Sequence, residues 1–418
     1  MGVVDTWAWF VGVDWGQEEH ALCLVDARGQ VCGRRRVAHT AAAVDEAVRW
    51  LCAQTGTDPA GIAVAIETPR GVLVDTLIER QFPVFAVNPK QLDRFRDRFS
   101  AAGAKDDDED AHALGDALRT DPRAFRPVRP DDPLIIQLRE VTRLRQDLVE
   151  DASRLTNRLR DQLYRVDAAW LTLSPAANDP WLWTILAETP NPADWAHLTR
   201  RRLAAVLHAH RIRRLTADGV REALRQPRLT VAAGVADAVA TRLAALVPQL
   251  RLVHEQCTTA ERQIDRLLKQ LAAEPLAGEP HEHRDVEILQ SLPGVGRMVA
   301  ATMLTDATGP LAARDYPTLR AQAGAAPVTK RSGKRVRRVQ MRYACKGTLR
   351  EAVYHWARTS VQLDEVARTY YTRLRARGHT HGRALRSVGD RWLRILIAML
   401  KTRTVYDATQ FTPVKAPA

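Results

Sequence analysis

Residues 10–37 read FVGVDWGQEEHALCLVDARGQVCGRRRV, and this stretch decides the fold of the first part of the chain. Three runs rich in Val, Leu and Ala, at Phe10–Asp14, Ala21–Val25 and Val31–Val37, are typical of β-strands. Asp26–Gly29 separates the second run from the third and has the residues of a hairpin turn. The sequence therefore predicts three strands in hairpin order.

The pattern changes after this stretch to alternating helices and strands. Ala41–Ala53 and Val72–Glu79 are predicted as helices, and Ile62–Ile66 and Val84–Val87 as buried strands. Three hairpin strands followed by helix, strand, helix and strand is the layout of an RNase H-like domain. We therefore predict an α/β domain of the RNase H or RuvC type over residues 1–128, followed by a mostly helical remainder.

Four carboxylates of this domain could bind metal. Asp14 and Glu67 end two buried strands, and Asp107 and Asp110 lie three apart in the acidic run KDDDED at 105–110, so they share a helix face. Converging carboxylates repel one another and favour hard cations, Mg²⁺ above all and Mn²⁺ as a substitute. Asp106 with Asp110 is the other possible register. The acidic run alone favours a solvated helix start, and the strand-end acids Asp14 and Glu67 reverse that preference.

The central region, residues 129–280, is predicted as a coiled coil with a helical insertion. Apolar residues recur in steps of three and four in two seams. Pro248 is expected in the first turn of the second helix. The insertion, at about 170–240, contains four tryptophans. The first seam consists of Val141, Leu144, Leu148, Ala152, Leu155, Leu159, Leu163 and Val166, and the second of Leu243, Leu246, Leu250, Val253, Cys257, Ala260, Ile264, Leu267 and Leu271.

A third module, predicted as mostly helical, spans 281–405 and is followed by a tail at 406–418. It opens with Leu292–Arg297, LPGVGR, which is similar to a helix-hairpin-helix turn. In such a turn Gly294 and Gly296 would let backbone N–H groups approach a phosphate. An ordinary helix start after a Pro-Gly turn is the other interpretation.

The segment Thr329–Arg350 carries nine Lys or Arg residues and no acid, and it contains Ser332. Cations around a serine could stabilise the charge that develops when its hydroxyl attacks a phosphodiester. A turn serine in a basic loop is the plainer alternative. The predicted nucleic-acid contacts are Lys330, Arg331, Lys334, Arg335, Arg337, Arg338, Arg342 and Lys346.

Composition supports a nucleic-acid partner. The 418 residues hold 62 Lys plus Arg against 49 Asp plus Glu, a formal net charge of +13. The five cysteines form no C-x-x-C pair, which fits a reducing cytosol and gives no zinc module. No stretch has the length and hydrophobicity of a membrane span, so we expect no membrane partner. The sequence predicts a cytoplasmic protein.

Taken together in chain order, these motifs resemble a known family. The strand ends at Asp14 and Glu67, the Lys105-x-Asp107-x-x-Asp110-Ala helix, the long helical region, the LPGVG turn, and Gly324–Pro327 followed by Ser332-Gly333 are similar to the DEDD transposases of bacterial insertion sequences, the RNA-guided bridge recombinases. The resemblance covers nearly the whole chain. Asp106 stands where Ser or Thr is usual in the family.

This resemblance implies a site-specific recombinase that joins donor and target double-stranded DNA, both paired to a structured guide RNA. By it, Asp14, Glu67, Asp107 and Asp110 would be Mg²⁺ ligands, and Ser332 would form a covalent link to DNA. It also implies a homo-oligomer, dimer or tetramer, because one composite site draws on different protomers, and a bacterial, nucleoid-associated location.

Two other functions remain open on the sequence. A metal-dependent Holliday-junction or structure-specific nuclease would use only the RuvC-like domain, with Ser332 dispensable. A catalytically inactive RNA- or DNA-binding remnant would not bind Mg²⁺ at the acidic cluster.

Overall fold

The computed structural model describes residues 7–87, 89–96, 106–128, 132–227, 230–273, 282–330 and 338–408. The chain forms two compact units, Met1–Asp131 and Asp132–Ala418. The first is a mixed sheet covered by helices, and the second is almost entirely helical. The second unit contains both the predicted central region and the predicted third module, whose separation at residue 280 stays a prediction.

A six-stranded sheet forms the centre of the first unit, in the order β3-β2-β1-β4-β5-β6. Strands β1, β4 and β5 run parallel, and β2, β3 and β6 pair antiparallel to their neighbours. All five predicted strands are present. Strand β6 was not predicted, because two residues are too few to show a sequence pattern. The strands are β1 Trp9–Asp14, β2 Glu19–Asp26, β3 Val31–Ala38, β4 Ile62–Ile66, β5 Val84–Ala86 and β6 Arg126–Pro127.

Helices cover both faces of this sheet. Apolar side chains of α1 and α2 pack with Leu22, Leu24 and Val64 on one face. On the other face, α4 packs with Phe10 and the small residues of β4. The helices are α1 Ala41–Thr55, α2 Val72–Glu79, α3 Pro89–Arg96 and α4 Asp107–Thr120, with short 3₁₀ turns at Pro59–Gly61 and Pro122–Ala124. This layering confirms the predicted α/β domain and is consistent with an RNase H-like fold.

The second unit contains thirteen helices and one small hairpin among its described residues. The helices are α5 Pro133–Val166, α6 Ala169–Leu173, α7 Pro180–Glu188, α8 Arg200–Ala209, α9 Ala217–Arg225, α10 Val235–Ala272, α11 Glu282–Ser291, α12 Arg297–Asp306, α13 Thr308–Ala312, α14 Tyr316–Gln322, α15 Gly347–Leu363, α16 Glu365–Ala376 and α17 His381–Thr402. A 3₁₀ turn spans Pro192–His197, and the hairpin consists of β7 Val328–Lys330 and β8 Arg338–Gln340.

The two long helices α5 and α10 pack antiparallel against each other within one chain. The start of α5 shares a core with the end of α10, and the end of α5 shares another core with the start of α10. Arg145 and Glu261 form an ion pair across the two helices at 3.0 Å. This arrangement fits the two predicted seams, and their description as a coiled coil stays a prediction.

Two details of the seams were wrong. Leu144 was assigned to the first seam, but it is 52% exposed, whereas Val141 and Leu148 of the same seam are buried. The second helix begins at Val235, so Pro248 lies inside it rather than in its first turn. The helix continues through Pro248, and Val247 and Leu250 beside it are buried.

The tryptophan-containing insertion is a small helical core attached to the α5–α10 pair. Trp170, Trp181 and Trp195 are fully buried and pack with the end of α5 and the start of α10. The Trp195 indole N–H donates to the Thr189 carbonyl at 2.7 Å. The insertion therefore has a structural role at one end of the helix pair.

The other end of the pair merges with the last helices of the chain. The start of α5 and the end of α10 share one core with α11, α12, α15 and α17. The Tyr406 ring packs edge-on against Trp392, so the ordered core reaches into the predicted tail. Across the described residues, no helix combines the length and hydrophobicity needed to cross a membrane.

Candidate functional site

The two strand-end carboxylates lie side by side at one edge of the sheet. In the parallel pairing of β1 with β4, the last matched residues are Val13 and Ile66. Asp14 and Glu67 each follow directly, so they are adjacent across the two strands. Side chains alternate between the faces of a strand, which puts Asp14 on the face of Phe10 and Gly12, and Glu67 on that of Ala65. Helix α4 covers this same face of the sheet, so both carboxylates lie on the side of α4.

Helix α4 brings its own carboxylates to this edge because it lies very close to β1. A Cβ on Gly12 would stand 1.8 Å from the Ala111 carbonyl oxygen. Only glycine at position 12 allows this approach. Asp110 precedes Ala111 and is 2% exposed, so it is buried beside the end of β1. The structure thus brings Asp14, Glu67 and Asp110 to the same face and the same edge.

The start of α4 bears on the register of the acidic run. The Asp106 carboxylate accepts a hydrogen bond from the Asp108 N–H at 3.0 Å and caps the helix. Asp107 is the first residue of α4 and is exposed. This capping bond favours Asp107 over Asp106 as a metal ligand, and the choice stays a prediction. Lys105 lies outside the described residues.

The chemistry of these donors suits a divalent cation. Their side chains, however, are spaced too widely in this structure to surround one together. Carboxylate oxygens are the ligands that Mg²⁺ prefers. Within the part of the chain that the structure describes, no three His, Cys, Asp or Glu residues are close enough to hold a metal ion. The binding of Mg²⁺ by these residues stays a prediction.

Arginines of the edge strand β3 lie near the same face, and sequence reasoning missed them. Arg34 pairs with Cys23 and Arg36 with Ala21 in the register of β2 and β3, and both partners pack under Ala111 of α4. Arg36 Nε lies 3.5 Å from the Asp108 carboxylate, whose charge raises the pKa of Arg36. Side chains alternate between the two faces of a strand, so the sequence could have indicated that Arg34 and Arg36 share one face of β3.

In the second unit, the predicted serine falls between the two strands of the small hairpin in the sequence. Strand β7 pairs antiparallel with β8, and Lys330 is opposite Arg338. Ser332 and the predicted contacts Arg331, Lys334, Arg335 and Arg337 lie outside the described residues, as do the side chains of Lys330 and Arg338.

The segments that flank this hairpin are held by arginine and lysine. The Arg350 guanidinium donates to the carbonyls of Arg342 at 2.8 Å and Tyr343 at 3.2 Å, just after β8. The Lys346 ammonium donates to the Asp306 carbonyl at 2.5 Å. Lys346 thus has a structural contact, and its predicted contact with nucleic acid stays a prediction, as does that of Arg342.

The two glycines of the LPGVG turn have different surroundings. Gly294 has φ +85°, and a Cβ there would stand 2.7 Å from the Ser360 backbone nitrogen of α15. The turn is also held by the Trp356 indole, which donates to the Pro293 carbonyl at 3.0 Å. Gly294 therefore has a packing reason, whereas Gly296, just before α12, has open space around it. Their assignment to a helix-hairpin-helix motif stays a prediction.

Comparison with known proteins gives two family matches. Residues 11–166 match the DEDD family model of IS110, described as a transposase. Residues 286–372 match the model described as the transposase IS116/IS110/IS902 family. The first match contains all four predicted carboxylates, and the second contains Ser332.

Individual relatives agree with these matches. The chain is 30% identical over 420 residues to the mini-circle putative transposase for IS117 of Streptomyces coelicolor, covering 98% of each protein. It is 45% identical over 217 residues to the putative transposase y4uE of Sinorhizobium fredii, covering 52% of this chain and 60% of that relative. An uncharacterized 43.6 kDa protein of the insertion element IS110 from S. coelicolor is 32% identical over 315 residues, 73% of each chain. The chain therefore belongs to the IS110 family of DEDD transposases, the enzymes of insertion sequences that act on DNA.

Proposed function

We propose that this transposase is a site-specific recombinase that cuts and rejoins donor and target DNA, both paired to a structured guide RNA. The observation that carries the proposal is the convergence of Asp14, Glu67 and Asp110 on one face of one sheet edge. Parallel pairing of β1 with β4 and the close approach of α4 at Gly12 produce that convergence. Asp110 is buried and Asp14 and Glu67 are partly buried at this edge, and carboxylates grouped in this way are candidates for cation binding.

In this proposal, Asp14, Glu67, Asp107 and Asp110 hold Mg²⁺ or Mn²⁺. Bound cations would supply charge stabilisation at the oxygens of the phosphoryl group. The four carboxylates would hold these cations, and Asp110 is the ligand most removed from bulk water. Arg36 stands near enough to the start of α4 to orient Asp108 and the first turn.

Ser332 is the proposed nucleophile. Its hydroxyl oxygen forms an ester bond to phosphorus, the bond from phosphorus to the leaving sugar oxygen breaks, and the serine proton passes to that oxygen. Attack by the sugar hydroxyl of the exchanged strand reverses the step and frees the serine, so no external energy source is needed. The nine cations of Thr329–Arg350 support this role through charge stabilisation.

We further propose a homo-oligomer, dimer or tetramer, in which the α5–α10 pair provides an assembly surface. Leu144 and Val149 of α5 and Leu252 of α10 are exposed apolar residues on this pair, at 52%, 36% and 55%. Exposed apolar residues on long helices can contribute to helix-mediated association.

The test is a denaturing gel of the purified protein with Mg²⁺, co-purified RNA and labelled DNA that spans the junctions of the element. We expect a covalent protein–DNA adduct with the wild type and its loss in Ser332→Ala and Asp14→Ala. Matched controls are Ser153→Ala, an exposed serine of α5, and Asp75→Ala, an exposed acid of α2 on the opposite side of the sheet. Both controls should form the adduct at the wild-type level.

Cleavage without an adduct that persists in Ser332→Ala would contradict the recombinase and leave the structure-specific nuclease. Adduct formation that needs Ser332 but not Asp14 or added metal would contradict the role of the carboxylates. Adduct formation that is unaffected by removing the RNA with ribonuclease would contradict the proposed role of a guide RNA.

A further inference from the structure

A cavity of about 310 Å³ lies at the base of the β7–β8 hairpin, entirely within the second unit. We call this the serine hairpin because Ser332 falls between its two strands in the sequence. It opens between the segment just before β7 and the first turns of α15 and α17. Its wall includes Gly324, Gly347, Arg350, Tyr354, Gly382 and Arg386. Gly324 precedes β7, and Arg350 holds the residues that follow β8, so the cavity is joined to both strands of the hairpin.

Two arginines give this cavity an unbalanced positive charge. Arg350 and Arg386 are both partly buried, and among the described residues neither forms an ion pair with a carboxylate. Burial and the charge of Arg350 lower the pKa of Arg386. The Arg350 Nε is buried and has no hydrogen-bond partner among the described residues. Two neighbouring cations removed from water are costly unless an anion joins them.

One acid lines the cavity, and it lies on the outer side. Glu351 has a side chain that is 70% exposed, and its carboxylate is 3.6 Å from the His355 ring. A solvated carboxylate at the rim neutralises the two guanidinium groups only weakly. The field inside the cavity therefore stays positive.

Two helix starts add to that field. Helix α15 begins at Gly347 and α17 at His381, and the cavity glycines Gly347 and Gly382 lie in these first turns. The residues that precede the two helices, Lys346 and Thr380, make no side-chain capping bond in the described structure, and neither first turn contains an acid. A Cβ on Gly347 or Gly382 would meet nothing within 4 Å. Exposed N–H groups at two helix starts attract anions.

We propose that this cavity binds a phosphodiester group of the DNA strand on which the serine hairpin acts, with Arg350 and Arg386 as its ligands. The inference rests on the proposed recombinase function. Guanidinium groups match phosphate oxygens in pairs, and Tyr354, an exposed aromatic residue in the wall, offers a surface for the attached sugar or base. DNA rather than RNA is assigned because the cavity adjoins the hairpin that encloses Ser332.

The test measures the salt dependence of DNA binding by the full-length protein, with a fluorescent duplex in EDTA so that neither metal nor serine chemistry contributes. Arg386→Gln should lower the slope of log affinity against log salt by about 1, the value for one lost phosphate contact. Arg386 is the variant of choice because Arg350 also supports the hairpin. The matched control is Arg383→Gln, an exposed arginine one turn earlier on α17, and it should keep the wild-type slope.

A second measurement locates the phosphate. Duplexes that carry one neutral methylphosphonate at successive positions should show one position where wild-type affinity falls and Arg386→Gln affinity does not. Equal slopes for Arg386→Gln and Arg383→Gln would overturn the subsite. A loss seen with single-stranded RNA and not with DNA would overturn the DNA assignment. A failed adduct assay with an intact slope difference would instead contradict the proposed recombinase alone.

Discussion

The acidic edge of the first unit and the basic hairpin of the second differ in what holds their functional groups. At the acidic edge, sheet register and one glycine fix the positions of Asp14, Glu67 and Asp110 through backbone packing. At the hairpin, side chains fix the backbone, since Arg350 holds the segment after β8 by hydrogen bonds. The strand-end acids can be inferred from pattern, whereas the tertiary contacts at Gly12 and Arg350 require the fold.

Removing the glycine contact should have the largest effect on the acidic edge. In Gly12→Ala, the new Cβ would stand 1.8 Å from the Ala111 carbonyl oxygen, so α4 must move off β1. We expect a loss of about 3 kcal/mol in the free energy of unfolding of the first unit, and loss of activity because Asp110 moves with α4. Urea unfolding, monitored by hydrogen exchange of the β1 amides, measures the loss in free energy of unfolding.

Gly309→Ala is the control for that substitution, because position 309 lies in a helix and a Cβ there meets nothing within 4 Å. It should leave stability unchanged or slightly higher. A Gly12→Ala protein as stable as Gly309→Ala would break the comparison, because the acidic edge would then not depend on close backbone packing.

Much of the first unit could be predicted from the sequence. Apolar runs rich in Val, Ile, Leu and Ala predicted every long strand. The acids at strand ends predicted Asp14 and Glu67 as neighbours, because parallel strands end at the same edge. The burial of Asp110 could not be predicted, since a helix start rich in acids is usually solvated. It follows from the contact at Gly12, which joins residues about a hundred positions apart.

The second unit was predictable in its helices but less so in its details. Steps of three and four gave α5 and α10, yet Leu144 fits the step pattern and is exposed. Strands β7 and β8 have three residues each, too short for a periodic signal. Arg350 and Arg386 come together only through the packing of α15 on α17, so no local pattern marks them as a pair.

The LPGVG turn allows the comparison to be sharpened inside the second unit. Gly294→Ala combines a positive φ with a Cβ 2.7 Å from the Ser360 nitrogen, and we expect a loss of about 2 kcal/mol in the free energy of unfolding. Gly296→Ala meets open space and should keep nearly full stability. If the turn binds phosphate, Gly296→Ala should instead weaken DNA binding. Chemical denaturation and filter binding of both variants separate packing from phosphate contact.

The smallest expected effect is a pH dependence specific to the first unit. His20 is fully buried, its Nε2 lies 2.9 Å from His39 Nδ1, and burial lowers the pKa of His20. The unfolded chain, with a pKa near 6.5, therefore binds more protons than the folded one, so stability is present above that value and falls as the pH drops below about 6.5. We expect stability to fall between pH 7.5 and 5.5, measured as opening free energies of β2 amides by hydrogen exchange. Replacing His20 with Gln should flatten the profile, whereas replacing the exposed His355 with Gln should not. A profile that stays equally steep without His20 would place the pH-sensitive group elsewhere, with His112 of α4, whose pKa burial also lowers, as the next residue to replace.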